Sequence, residues 1–545
     1  MSSSESVMSK KPEIRIEVLY GDRLVPCYAE RPANLSAMLA SVAAARPKAQ
    51  ALVDGPRALN YAELDAQVNR IANALAVAGI SQGDRVAMFL GNSIEFIAIL
   101  FGIWRLGAIA VPIGTRQTAA ELEYMLNQCS AAALCFDAEL ASRLPKPEVI
   151  PTVKLLVCVD GAPSDVPHVT LKDLLAKAEA TPRVCPVNDQ APACIMYTSG
   201  TTGNPKGAVL SHLGFLHTAQ NYELVFGYRP DDRMLLTIPA SHISGLLAVV
   251  VVMMRIGGCI VCLKGFKASE VLETIEKQRI TAAVMVPAMY NLCLLEPDIT
   301  KRDLSTWRIG HFGGAAMPEI TIQRLAETLP GLELYNGFGA TETTSAVTLT
   351  ERGDAAKYPD SVGTVLPCVD IRVLDENGRE VPRGETGELW IRSPGNAIGY
   401  WNNPEATRNS FVAGYWRSGD IGTLDAQNYL RVLDRIKDMI NRGGYKVYCV
   451  ELENVIQRFP GVIEVAAVAS PCPVLGERIH VFIHALEKID TEALRNFCRE
   501  RLADYKTPDF VTVSNTPLPR NLNGKLVKAP LREQAKQMAA DNSNS

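Results

Sequence analysis

The sequence predicts an α/β fold: a large N-terminal domain that includes a small antiparallel β unit, then a small α+β C-terminal domain. Three observations carry this. Helix-period and strand-like apolar patterns alternate over the first 190 or so residues and again from about Ala191 to Thr350, as in largely parallel sheets covered by helices. From Ile371, short β-rich runs separated by the turn dipeptides Asn377-Gly378 and Arg383-Gly384 replace the helical periodicity. From Asp438 the pattern mixes helix and strand, which places a boundary near Arg435–Asp438. A length of 545 residues independently calls for two or more domains, because a single core stops growing well below that size.

The elements come in order along the chain. Tyr61–Gly79 carries Leu64, Val68, Ile71 and Leu75 at helical spacing, with Gly79 as the stop. Arg85–Leu90 reads as a strand, Ser93 as the cap of a helix running through Leu106 to Gly107, and Ala108–Ile113 as the next strand. The most apolar stretch, Gly245–Met254, is followed at once by Arg255, Gly257 and Gly258. It falls short of the ~20 apolar residues a membrane span needs, and reads as a buried helix leading into a strand at Cys259–Leu263. Beyond the boundary, Val447–Phe459 reads as a helix and Glu464–Ala469 as a strand.

Composition narrows the function classes. Lys plus Arg is 55 against 59 for Asp plus Glu, a net charge of -4 with no basic block, which argues against nucleic acid or an anionic membrane as partner. The 13 cysteines are odd in number and scattered, as expected in a reducing, cytoplasmic setting. Cys259 and Cys262 form a CxxC inside the apolar run GGCIVCL and read as small buried hydrophobes. The N-terminus lacks the apolar core of a signal peptide, and the closing AADNSNS reads as a disordered tail without a lipidation or peroxisomal signal.

The most specific segment is YTSGTTGNPKG, Tyr197–Gly207, directly after the apolar strand Ala193–Met196. Gly200, Gly203 and Gly207 let backbone N–H groups approach a ligand closely. Thr198, Ser199, Thr201 and Thr202 add hydroxyl donors, and Lys206 adds positive charge; together these suit a polyphosphate. It is not a Walker loop, since Pro205 precedes the lysine and Gly207 follows it.

This segment resembles the phosphate-binding loop of the adenylate-forming enzymes: acyl- and aryl-CoA synthetases, firefly-type luciferases and peptide-synthetase adenylation domains. The chain is most similar to an acyl- or aryl-CoA ligase, and the resemblance extends over nearly its whole length. In GHFGGAAMP, 310–318, the small residues leave room for a flat ring, although a tight strand-to-helix turn would read the same. The resemblance implies that Gly314, Ala315 and Ala316 pack on adenine. In YNGFGATETT, 335–344, it places Asn336, Gly337, Phe338, Gly339 and Ala340 at the nucleotide, Thr341 at phosphate, and Glu342 as the Mg²⁺ ligand. Phe338 offers a stacking face where many relatives carry Tyr. In YWRSGD, Asp420 matches the family's ribose-binding carboxylate, a position that otherwise reads as a turn Asp. In LDRIKD, Arg435 matches a ribose or phosphate contact and Lys437 the hinge, while most relatives carry Gly where Asp434 stands. In MINRGGYKVYCVELE, Gly443, Gly444 and Tyr445 match the loop that lines the pantetheine tunnel, and Cys449 replaces a frequent Pro. In PRNLNGK, Lys525 matches the catalytic lysine; relatives often have Thr for Asn521 and Arg for Lys528.

The organisation so implied is an N-terminal AMP-binding domain over residues 1–435 with a β-barrel unit at about 365–435. A hinge at 436–437, a mobile C-terminal domain at 438–531 and a disordered tail at 532–545 complete it. The implied reaction joins a carboxylic acid to ATP with release of pyrophosphate, then transfers the acyl group to coenzyme A with release of AMP. ATP, Mg²⁺ and coenzyme A are the implied cofactors and co-substrates, and Lys206, Glu342, His242 and Lys525 the catalytic set. His242, in PASHISG, matches an aromatic position beside the carboxylate site and reads as a gate or orienting group; a His packed between two apolar segments is the alternative. The acid pocket is expected from His242, Ile243, Ser244, Gly245, Leu246 and Ala248 together with His311, Phe312 and Gly313 and the 337–339 stretch. None of these stretches holds Asp, Glu, Lys or Arg, which points to an apolar or aromatic acid rather than an amino acid. The rivals are a stand-alone adenylation enzyme loading an acyl carrier protein thiol, a luciferase-like oxidase and a non-catalytic nucleotide binder. The particular acid and the oligomeric state, a homodimer among the options, are not legible at this level.

Overall fold

The computed structural model describes residues 12–161, 167–176, 178–198, 204–314, 317–520 and 526–543. Two large sheets organise its N-terminal part. One has seven strands, in spatial order Lys206–Ser211, Pro192–Thr198, Ile109–Pro112, Arg85–Phe89, Ala133–Phe136, Leu155–Cys158 and Val169–Thr170. It is parallel apart from the hairpin formed by its first two strands. The other has nine strands, with Glu333–Ala340, Ile309–Gly313, Ala282–Met285, Arg233–Leu236 and Cys259–Cys262 as its parallel centre.

The central core lies between the two sheets. It combines Val86, Met88 and Cys194 from the first sheet with Leu236, Ile260 and Val284 from the second, and the helices Tyr61–Val77, Ile94–Leu106 and His212–Phe226 run through it. Helix Ile94–Leu106 is apolar on nearly every face, the composition of a helix with no solvent side. Ser93 Oγ caps it by accepting from Phe96 N at 3.1 Å, and Gly107 ends it at φ +78°. At Gly102 an added Cβ would lie 2.5 Å from Ile71 Cγ2, so this helix and its neighbour touch through a glycine. The outer faces carry separate cores, one of Val261, Met285 and Phe312 and the other of Ala87, Phe136 and Ile195. Strands buried on both faces read as unbroken apolar runs, which is why period-2 alternation is missing here.

Gly245–Met254 is helical and buried, as expected, but its middle, Leu246–Val251, is a π-turn. The β unit is a five-stranded antiparallel sheet of Asp370–Leu374, Thr386–Arg392, Phe411–Val412, Tyr415–Leu424 and Leu430–Arg435 around Ile371, Leu389, Ile391 and Trp416. The hydrogen bonding among its described strands leaves it open at the edges rather than closed as a barrel. The C-terminal part has its own five-stranded sheet and core, with Ile440, Leu452, Ile456, Val481 and Leu494 fully buried. Its first helix spans Cys449–Ile456, shorter at both ends than the sequence pattern suggests. The expected disordered tail is corrected. Lys528–Ser543 is a helix, and Leu531 and Ala535, one turn apart, dock it on Ala466, Val468 and Phe482 of the sheet. Polar composition hides a two-residue apolar face. No described helix is long and apolar enough to cross a membrane.

Candidate active site

The hairpin Pro192–Thr198/Lys206–Ser211 places Thr198 opposite Lys206 at its loop end. Tyr197 anchors it, donating to Gln128 Oε1 at 2.6 Å on the helix Ala119–Gln128. Ser199, Gly200, Thr201, Thr202 and Gly203 lie outside the described residues. Gly207 packs closely on the neighbouring strand, where an added Cβ would meet Ile195 Cγ2 at 2.7 Å.

Glu342 arrives from a distant part of the chain. It sits in the single turn Thr341–Thr343 after strand Glu333–Ala340 and is only 8% exposed. Its Oε1 accepts from Thr198 Oγ1 at 3.3 Å and from the Tyr400 hydroxyl at 3.0 Å. Lys206 Nζ lies 5.4 Å from the centre of the Tyr400 ring, within cation–π range. Burial and the neighbouring Glu342 charge push the Tyr400 phenol well above its ordinary pKa, so it stays a donor. Segment 397–401 is zipped along the hairpin: Val209 N donates to Gly399 O at 2.9 Å and Trp401 N to Gly207 O at 2.8 Å. One cation, one buried carboxylate and two hydroxyls from three separate regions therefore come together beside the Thr198–Lys206 end of the hairpin.

On the side expected for adenine, Gly313 and Gly337 lie side by side, and a Cβ on Gly313 would be 2.8 Å from Gly337 O. Gly314 has φ +77°; Ala315 and Ala316 lie outside the described residues. Asn336 is tied inward, its Nδ2 donating to Ser361 O at 3.2 Å. Phe338 and Ala340 are partly buried against the β-unit core. At Gly339 an added Cβ would be 1.9 Å from Ser345 O, so this glycine is required by strand packing. Asp420, 5% exposed, forms an ion pair with Arg435 at 3.2 Å, its partner across the antiparallel pair.

The stretches expected to line an acid pocket come from separate regions of the chain. His242 starts the helical run at Ile243, its Nδ1 3.1 Å from Ser244 Oγ, while Gly245, Leu246 and Ala248 are buried. Asn92 holds the approach to His242 by donating to Ile238 O at 3.0 Å and accepting from Ala240 N at 2.8 Å. His311 is buried against Tyr222 and Phe226, ring centres 5.5 and 5.3 Å away. Burial pushes its pKa down to about 4, so it is neutral. Phe312 is corrected: strand alternation turns its side chain into the outer core with Met285 and Trp307, away from His311.

Lys437 is exposed, and partial desolvation lowers its pKa, with Arg435 and Arg532 adding to that and Asp420 opposing it. Gly443 and Gly444 have φ +60° and +91°. Tyr445 is 60% exposed and stacks on Tyr505 of the same C-terminal part, ring centres 4.7 Å apart. Lys525 lies outside the described residues, but its flanks are pinned: Arg520 bridges Leu526, and Lys528 Nζ pairs with Glu453 Oε1 at 2.8 Å.

A family model described as AMP-binding enzyme matches residues 39–401, and its companion, the AMP-binding enzyme C-terminal domain, matches 451–525. The chain belongs to the AMP-binding enzyme family. Among curated relatives of this AMP-binding enzyme is a long-chain-fatty-acid–CoA ligase, FadD13, of Mycobacterium tuberculosis, 35% identical over 92% of this chain and 98% of the relative. A feruloyl-CoA synthase of an Amycolatopsis species is 34% identical over 90% of this chain and 96% of that protein. A solved structure of the anthranilate CoA ligase AuaEII with anthranoyl-AMP superposes with a TM-score of 0.87 at 28% identity, covering 94% of this chain and 99% of that one.

In this AMP-binding enzyme, sequence reasoning missed Tyr400, Tyr222 and Phe226. Tyr400 lies in GNAIGYW, a mixed segment without periodicity, and only the zipping of 397–401 beside the hairpin brings it to Glu342. Tyr400→Phe keeps the ring facing Lys206 and removes the hydroxyl that bonds Glu342. The expected result is an about tenfold slower pyrophosphate–ATP exchange with unchanged thermal unfolding, the scale of one hydrogen bond to a charged group. An unchanged exchange rate would reduce Tyr400 to packing.

Proposed function

We propose that this enzyme is an ATP-dependent carboxylic acid–CoA ligase acting on an apolar or aromatic acid. The observation that carries the site assignment is the convergence of Thr198, Lys206, Glu342 and Tyr400 beside the Thr198–Lys206 end of the hairpin. In the first step a carboxylate oxygen of the acid attacks the α-phosphorus of ATP, the bond to the β-phosphate oxygen breaks, and pyrophosphate leaves. Both reactants are anions; two unit charges at about 4 Å repel by roughly 4 kcal/mol at an effective dielectric near 20. Lys206 and Lys525 supply the compensating positive charge, Lys525 by bridging the acid carboxylate and the α-phosphate or ribose. Asp420 takes the ribose hydroxyls, with Arg435 beside it. Glu342 fits Mg²⁺ carried in with the nucleotide, because a lone buried carboxylate beside phosphate donors suits a metal that takes most of its other ligands from phosphates and water. When bound, that ion neutralises phosphate charge.

In the second step the thiol of coenzyme A attacks the acyl carbonyl of the adenylate, AMP leaves, and the C-terminal domain turns about Lys437 to bring Gly443–Tyr445 to the site. His242 orients the acid, and the neutral His311 leaves the pocket without a fixed charge, which supports an uncharged acyl group. The thirteen cysteines are all free thiols, which supports a reducing, cytoplasmic setting.

The deciding experiment measures pyrophosphate release over a panel of aliphatic and aromatic acids with and without coenzyme A. Acid-dependent release that yields a thioester only when coenzyme A is present is expected. No labelled pyrophosphate exchanging into ATP with any acid would end the reading. Gly444→Trp is expected to leave that exchange within about twofold and to abolish thioester formation, since the indole would fill the space the thiol arm needs. Normal thioester yield from the variant would remove the tunnel assignment.

A further inference from the structure

Asp434 is the last buried carboxylate before the hinge. It is 5% exposed and lies on the strand Leu430–Arg435 of the N-terminal part. Its Oδ1 accepts from the Arg435 N–H at 2.7 Å, on its own side of the hinge. Its Oδ2 accepts from the Cys449 N–H at 2.6 Å, which belongs to the first residue of the C-terminal helix Cys449–Ile456. This second bond joins the two sides of Lys437. It places a negative charge at the positive end of a helix, onto an N–H the helix itself leaves unpaired.

Two ion pairs among the described residues also cross between the parts, and both are weaker in kind. Lys446 pairs with Glu376, and Arg458 with Glu319 at 3.0 Å, but the side chains are 48% and 81% exposed in the first pair and 61% and 44% in the second. Exposed ion pairs of this sort are screened and contribute little. The buried, charge-assisted bond at Asp434 dominates. Around it, Cys449 Sγ donates to Asp438 O at 3.1 Å, Arg532 pairs with Asp438, and Lys528 pairs with Glu453. Arg532 and Lys528 stand on the helix after Lys525, so the group gripped by Asp434 is continuous with the catalytic-lysine segment.

The thiol loop is not engaged in this arrangement. Tyr445 is largely exposed and stacked within its own domain, and a Cβ on Gly444 meets no described atom within 4 Å. We propose that Asp434 is a positioning residue that holds the C-terminal domain in the adenylate-forming arrangement through the Cys449 N–H, and that this bond breaks before thiol transfer. The proposal rests on the ligase reading above and on Lys437 as its hinge.

Cys449 makes the test clean. Proline is tolerated at the first position of a helix and needs the extended residue before it that Tyr448 already is, with φ -85° and ψ 118°. Cys449→Pro therefore removes the donor and spares the helix, while Cys449→Ala keeps the N–H and serves as control. Asp434→Ala removes the acceptor. Pyrophosphate–ATP exchange and thioester formation from supplied acyl-adenylate are measured for each variant at saturating acid and coenzyme A. Asp434→Ala and Cys449→Pro are each expected to lower the ratio of exchange to thioester formation by about tenfold. The double variant falls no further, and Cys449→Ala matches the parent. Equal changes in both half-reactions, or an unchanged ratio in Cys449→Pro, would overturn the latch. Absence of exchange in the parent enzyme would instead overturn the ligase reading, so the two failures are separable.

Discussion

Lys525→Ala lowers pyrophosphate–ATP exchange by about three orders of magnitude and leaves thioester formation from supplied acyl-adenylate within about threefold. The expected size comes from charge. Two anions must approach within bonding distance, and the roughly 4 kcal/mol of repulsion at that separation corresponds to about three decades in rate when it is not compensated. The expected selectivity comes from the two-arrangement scheme. Once the adenylate exists, its acyl carbonyl carries no net charge and the lysine has moved away with its domain. Arg520 and Leu526 bridge the base of the segment that bears Lys525, and the Lys528–Glu453 pair anchors the start of the C-terminal helix, so the substitution leaves those anchors in place. The check is a pair of assays on one preparation. Comparable losses in both half-reactions would contradict the division of labour.

Glu342→Gln has the second-largest expected effect. Glutamine keeps the size of the side chain and one oxygen that accepts from the Thr198 and Tyr400 hydroxyls, so the fold is expected to survive with its unfolding temperature nearly unchanged. The substitution removes a unit negative charge in a nearly buried position. Exchange is expected to fall by about a hundredfold, the upper end for losing a contact to a charged group, and the Mg²⁺ concentration giving half-maximal rate to rise. Glu342→Ala is expected to lose stability as well, because it removes the acceptor of two partly buried hydroxyls, at a cost of about 1 kcal/mol each. A Gln variant with parental rate and Mg²⁺ dependence would show that Glu342 is only a structural acceptor for Tyr400.

The helices Tyr61–Val77 and Ile94–Leu106 are legible in the sequence because their signals are local: apolar spacing, a serine cap and a terminal glycine. The strand expected at Ala193–Met196 is legible for a similar reason and lies within Pro192–Thr198. The C-terminal helix escapes a reading by composition because its docking face is two residues wide. Phe312 escapes it because adjacent residues on a strand do not form one surface: successive side chains face opposite cores.

The α/β alternation and the division into a large N-terminal and a small C-terminal part are thus contained in the amino-acid order alone. Which side chains touch is not. The meeting of Glu342 with Tyr400, and of Asp434 with the Cys449 N–H, depends on backbone pairings and a domain placement that bring separate regions to hydrogen-bonding distance. Such contacts leave no periodic trace, because each is set by the packing of whole sheets and helices rather than by the preferences of neighbouring residues.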